Sequence, residues 1–312
     1  MERTMTLRHL DRQLRPLAGL FGGGDRPAFI VHQPVALTVP LVFSSPHSGR
    51  YYSPSFIESS RLAPERLRRS EDAYVEELFA GVTAHGAPLI AAQYPRAYLD
   101  LNREPFELDP DLFEDSLPPF ANTRSVRVLG GLGTIARVVG EAEEIYRRRL
   151  TVAEAMARIE RIYWPYHTEL GALIERTRRH FGYAVLIDCH SMPSSDSTGN
   201  NGGPRAQFVL GDRFGTACAP ELTRHIETTL TGLGYEVALN RPYAGGYITE
   251  HYGAPGLGVH ALQLEVNRSM FTDEARLTLT DGFSPLRDRL MRLVEGLAKF
   301  ARILQPMRAA AE

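Results

Sequence analysis

Short apolar runs of strand type alternate along this chain with longer segments whose apolar residues recur every three or four positions, and that rhythm restricts the fold more than any other feature. Runs at 41–45, 88–91, 98–101, 184–187, 207–210, 235–238 and 260–264 predict strands. Segments 72–85, 153–179, 220–233 and 285–304 predict helices. Strands separated by helices must cross over to pair again, so the expected fold class is α/β: three layers, α/β/α, around a central mixed, mostly parallel sheet. Between the strands, 104–133 is rich in proline, aspartate and glycine and reads as a long surface excursion, the kind of loop that forms a lid or a binding wall. At 312 residues and 43% hydrophobic content, one large domain over 41–312 is the preferred division. Residues 1–40 then form an arm and linker. The Gly22-Gly23-Gly24 triplet is followed by no Lys-Ser pair, so it reads as a joint and not as a phosphate cradle.

Two strand runs break off at histidines among small residues: 41–45 leads into Pro46-His47-Ser48-Gly49, and 184–187 into Asp188-Cys189-His190-Ser191. Open α/β sheets place ligand crevices outside the carboxyl ends of their strands, where such imidazoles are rigidly aimed. His47 alone could be a hydrogen-bonded turn residue. His190 has stronger local support, since it and Asp188 end a run too apolar to leave a polar group unpaired, and Asp188 can orient the ring. Together the two histidines point to a metal site, with zinc the first choice and iron, cobalt or manganese open to the same donors. No HExxH pattern occurs, so an acidic ligand must come from elsewhere. Asp72 is the candidate, with Glu71 competing, although an aspartate at a helix start commonly caps it.

Glu265 closes the run 260–264 and is the candidate general base; its bland alternative is an ion pair with Arg268. Around Arg96-Ala97-Tyr98-Leu99-Asp100-Leu101-Asn102-Arg103, two planar guanidiniums and an amide suit a carboxylate-bearing substrate. Arg96 is placed to stabilise an oxyanion, and Asn102 with Arg103 to hold the substrate carboxylate. Cys189, between Asp188 and His190, points to the opposite strand face and reads as packing, not as a nucleophile.

Totals exclude some partners. With 35 basic against 37 acidic residues, nothing favours nucleic acid or an anionic membrane, and no segment is apolar over a spanning length. Two cysteines, Cys189 and Cys218, are too few for a disulfide framework. A cytoplasmic protein with a small substrate is the expectation; the oligomeric state is open.

The segments Ser45-Pro46-His47-Ser48-Gly49, Arg96 to Arg103, Asp188-Cys189-His190-Ser191-Met192-Pro193, Pro242 to Thr249 and His260 to Arg268 resemble, in order, the motifs of the N-formylglutamate amidohydrolase family. That family is similar to the zinc carboxypeptidase and aspartoacylase superfamily. The resemblance implies metal ligation by His47, Asp72 and His190, Glu265 as base, Arg96 polarising the carbonyl, Asn102 and Arg103 clamping the carboxylate, and Gly245-Gly246 lining the substrate. It implies hydrolysis of N-formyl-L-glutamate to glutamate and formate. Related N-acyl amino acids, peptide C-termini, or a non-catalytic binding role are the alternatives. The arm before Leu41 and the 104–133 excursion depart from the shorter members.

Overall fold

The structure is a computed structural model, and it describes residues 26–140, 142–196 and 206–309. The Gly22 to Gly24 joint lies outside them. A seven-stranded sheet forms from β1 (Phe29–His32), β2 (Leu41–Ser45), β3 (Leu89–Ala92), β4 (Ala184–Met192), β5 (Phe208–Gly211), β6 (Val237–Leu239) and β7 (Val259–Asn267). Their spatial order is β1-β3-β2-β4-β7-β5-β6. The β3/β2, β2/β4, β4/β7 and β5/β6 pairs are parallel, while β1/β3 and β5/β7 are antiparallel. The sheet is therefore mixed and mostly parallel, as the sequence predicts.

Helices α1 (Val75–Phe79), α2 (Val126–Leu129), α3 (Trp164–Phe181), α4 (Pro220–Gly232), α5 (Tyr247–Tyr252) and α6 (Phe283–Ala309) surround it. The strands show why there are three layers. Along β4, Val185, Ile187 and Cys189 pack with α1, α4 and α6 residues such as Leu78, Leu222 and Leu290, whereas Ala184 and Leu186 pack with Tyr166 and Leu170 of α3. Successive side chains on a strand face opposite ways, so a run apolar at every position is a strand covered on both sides.

Four expectations need correction. Residues 98–101 form a turn, not a strand: the Tyr98 and Leu99 amides both donate to the Pro95 carbonyl. Their apolarity comes from burial in the core. The predicted helix over 72–85 is shorter; Tyr74, at φ 66°, is left-handed, so α1 begins at Val75 and a 3₁₀ turn (Ala80–His85) completes the segment. The sheet also starts earlier than the linker expected over 1–40 allows, because β1 pairs with β3 as an edge strand. The predicted helix over 153–179 spans Val152–Arg158 and α3 with a π turn (Ile159–Tyr163) between. Pro165, just past that turn, lacks an amide and clashes with the regular α path, which the wider turn relieves.

Candidate active site

The polar residues of the site come from the strand face that is apolar one turn of the pleat earlier. On β4, Ala184 and Leu186 give way to Asp188 and His190, and on β7, Ala261 gives way to Gln263 and Glu265. Register places Asp188 beside Gln263 and His190 beside Glu265. His47 lies two residues beyond β2, in a loop held against the segment that follows β3. Gly49 permits that approach, since a Cβ there would stand 2.1 Å from the Tyr94 carbonyl oxygen. Asp72 is brought in by its own backbone, whose amide donates to the His47 carbonyl at 3.0 Å.

The loop after β2, the segment before α1 and β4 deliver His47, Asp72 and His190 to one point, where one ligand atom from each lies within 4.8 Å of the others. Asp72 Oδ2 is 3.4 Å from His47 Nδ1 and 3.0 Å from His190 Nδ1. All three side chains are buried. Glu71 is directed elsewhere: it accepts hydrogen bonds from Tyr52 Oη at 2.8 Å and Arg68 Nε at 3.0 Å. Asp72 does not cap α1, whose N-cap position is Tyr74 and which has no side-chain cap.

The far nitrogen of each ring donates to a further carboxylate. His47 Nε2 donates to Asp100 Oδ1 at 2.7 Å, and His190 Nε2 to Asp188 Oδ2 at 2.9 Å. Asp188 is fixed in turn by Ser44 Oγ at 2.9 Å, which receives the Tyr166 hydroxyl of α3 at 3.0 Å. Asp100 pairs with Arg96 at 2.8 Å and approaches Arg103 at 3.5 Å. With Nε2 so engaged, Nδ1 of each ring faces the shared point, and buried His47 Nδ1 has no hydrogen-bond partner. Two imidazole nitrogens, one orphaned, facing a carboxylate, with carboxylates behind both rings, form a donor set that fits a divalent transition metal.

Charge is balanced on both sides. Burial opposes ionisation of Asp72, but its hydrogen bond with His190, together with His47 and Arg268, holds its carboxyl well below the usual range. Burial likewise opposes a charged His190, yet Asp188 and Asp72 raise its pKa well above that of ordinary imidazole. Arg268 pairs with Asp72 at 2.8 Å, not with Glu265. Glu265 instead accepts a hydrogen bond from Gln263 Nε2 at 2.8 Å, and burial pushes it up to about 7.

The group opens into a cleft of about 580 Å³ that is also lined by Arg96, Asn102, Arg103, Gly245, Gly246 and Glu265. His47, Asp72, Arg96, Asn102, Arg103, His190, Gly245, Gly246 and Glu265 therefore border one cavity, whereas Glu71 and Cys189 do not. Asn102 and Arg103 are also tied into its wall. The Asn102 amide receives the Ile248 N–H at 2.8 Å and donates toward Asp188 and Gln263, each at 3.4 Å. Arg103 donates to the carbonyls of Leu132 at 3.0 Å and Asn102 at 2.8 Å. Gly245 has φ 108°, a conformation open to glycine, and Gly246 lies against Asn102. Sequence reasoning missed Asp100, Ser44 and Gln263 as partners. Asp100 carried a signal, being an acid inside the apolar stretch Tyr98 to Leu101. Cys189 is buried among apolar residues, and burial drives its thiol pKa well up, against a nucleophilic role.

Fold and site together define an α/β protein with two histidines, an aspartate and a glutamate converging at the carboxyl ends of its strands. The comparisons narrow this. The family model described as N-formylglutamate amidohydrolase matches residues 39–272, and the chain belongs to that family. It is 31% identical over 243 residues to the N-formylglutamate deformylase of Pseudomonas putida, covering 76% of this chain and 83% of that protein. The Pseudomonas aeruginosa deformylase is 29% identical over 239 residues, with the same coverage. The crystal structure of N-formylglutamate amidohydrolase from Ralstonia eutropha JMP134 superposes with a TM-score of 0.84 at 36% identity, over 89% of this chain and 99% of that one. Among the described residues, no helix is long and apolar enough to cross a membrane.

Proposed function

We propose that this protein hydrolyses the amide bond of an N-acylated acidic amino acid, N-formyl-L-glutamate in the first instance, with a divalent metal, zinc first, held by His47, Asp72 and His190. The observation that carries this reading is the shared cleft: the three-ligand group, Glu265 and the Arg96 guanidinium border the same cavity. A metal bound there supplies Lewis acidity and makes an associated water easier to deprotonate.

The chain's own groups do the rest. Glu265, with a pKa near neutrality, takes a proton from the attacking water and returns it to the leaving nitrogen; a group poised near the working pH serves both transfers. Gln263 fixes which Glu265 oxygen is engaged, since its Nε2 holds Oε1. Arg96 is anchored through Asp100, and its guanidinium stabilises negative charge on the former carbonyl oxygen. Asn102 and Arg103 hold a substrate carboxylate at the wall, and the C–N bond breaks to give formate and glutamate. The family relationship and the named activity of the Pseudomonas relatives support the substrate. The test is formate release from N-formyl-L-glutamate by the purified protein, with metal content measured before and after chelation. Undiminished release from metal-free protein would remove the metal, and no release from metal-loaded protein would remove the reaction.

A further inference from the structure

The cleft contains more cationic groups than the chemistry at Glu265 uses. Arg96 and Arg103 approach Asp100, and Arg268 pairs with Asp72. Arg213 pairs with Glu250 at 2.8 Å and donates to the Gly245 carbonyl at 3.3 Å. Arg69 and Arg127 also line the cavity, and among the described residues neither side chain has an ion pair or a hydrogen bond; of the two, Arg127 is the one whose turn reaches Arg103. The Arg127 backbone, in contrast, is fixed. Ser125 Oγ accepts from the Val128 amide at 3.1 Å, and the Arg127 carbonyl accepts from Gly130 N at 3.1 Å and Leu132 N at 2.8 Å. The Leu132 carbonyl holds Arg103 Nε, so the turn that carries Arg127 is moored to Arg103.

Burial first, and then the neighbouring charges of Arg96 and Arg127, bring the Arg103 pKa down to about 10 although Asp100 opposes the change. Two guanidiniums that repel one another at one wall, with the Asp100 carboxylate engaged by both Arg103 and Arg96, form a receptor suited to added carboxylates. The geometry points to Arg127 as the residue that selects a second substrate carboxylate, the one on the side chain of an N-acylated acidic amino acid, beside Arg103 at the carboxylate next to the amide nitrogen. This deepens the function proposed above and rests on it. The 104–133 excursion is then a specificity wall.

The test compares N-formyl-L-glutamate with N-formyl-L-glutamine, nearly the same in shape but differing in that one charge, in wild type, Arg127→Gln, Arg127→Lys and Arg213→Gln. A charge-assisted pair contributes roughly 10- to 100-fold. Arg127→Gln is expected to lower the glutamate-over-glutamine ratio of kcat/KM by about that factor, through KM, with Arg127→Lys recovering part of it and Arg213→Gln keeping it. In parallel, glutarate, a dicarboxylate with no cleavable bond, is expected to raise the melting temperature of wild type but not of Arg127→Gln. An unchanged ratio in Arg127→Gln, a loss confined to Arg213→Gln, or glutarate stabilisation equal in wild type and Arg127→Gln or absent from wild type overturns the assignment. Absence of formate release from either substrate in wild type overturns the hydrolase reading instead, and the glutarate arm still decides on Arg127.

Discussion

Gly246→Ala should cost both stability and activity for a reason confined to one contact. Gly246 has φ −87° and ψ −162°, an extended conformation open to any residue, so no backbone strain is involved. The added Cβ would lie 2.4 Å from Asn102 Nδ2, 2.5 Å from Oδ1 and 2.6 Å from Cγ. Ordinary contact needs about 3.5 Å, so the Asn102 amide must retreat by about 1 Å. That movement stretches the 2.8 Å bond from Ile248 N beyond hydrogen-bonding range. Leaving this buried amide unpaired costs about 1–3 kcal/mol, and overpacking adds a similar amount, so urea unfolding should show a loss of about 2–6 kcal/mol. Asn102 lies 3.2 Å from His190 Nε2 and also reaches Asp188 and Gln263. Displacing it disturbs the groups that orient His190 and Glu265, and misplacement of about 1 Å costs on the order of 100-fold in kcat/KM. Asn102→Ala removes the obstacle. In that background Gly246→Ala should cost less than about 1 kcal/mol, a coupling of the size seen between residues in contact, while activity stays low. Equal costs of Gly246→Ala with and without Asn102 would refute the reasoning.

Glu265→Gln should lower kcat by about 100- to 10,000-fold with fold and metal content retained, as measured by formate release and elemental analysis. Asp100→Asn weakens the acceptor behind the His47 ring and should reduce metal affinity by about 10- to 100-fold in a chelator competition. His167 is buried; Nε2 donates to the Leu101 carbonyl at 2.9 Å, and burial brings its pKa down to about 3. The unfolded chain takes up this proton from about pH 6.5 downward while the folded protein resists until about pH 3. The associated stability, about 5 kcal/mol, is complete above the upper value and lost on acidification through that window. Between pH 7 and 5, the unfolding free energy from urea titrations should fall by about 2 kcal/mol more in wild type than in His167→Gln; parallel slopes would exclude a buried neutral histidine.

The sheet was legible because its central strands are covered on both faces, which turns each into an uninterrupted apolar run, as in Leu41 to Ser45 and Ala184 to Ile187. The edge strand Phe29–His32 alternates between half-buried and exposed positions, and nothing in four such residues separates it from an arm. Residues 98–101 misled for the converse reason: a buried turn is as apolar as a strand. At the site, His47, His190 and Glu265 could be read locally, as polar groups ending apolar runs that need partners. The identity of those partners could not. His47 meets Asp100 across 53 positions and Ser44 meets Asp188 across 144, contacts set by strand order and register, which no local pattern carries.

The same register separates two kinds of position in the cleft. Around the His47, Asp72 and His190 group, each side chain is held by another: Tyr166 fixes Ser44, Ser44 fixes Asp188, and Asp188 fixes His190, so a change anywhere along that chain moves a ring of the candidate site. Elsewhere in the cleft, Arg127 is held only through its backbone, and Arg213 by an exposed glutamate and the Gly245 carbonyl. Exposed pairs contribute little to stability, so replacing either residue leaves the fold intact. Substitutions on the strand side should therefore appear in kcat and in unfolding together, whereas those on the excursion should appear in KM and in the choice of substrate.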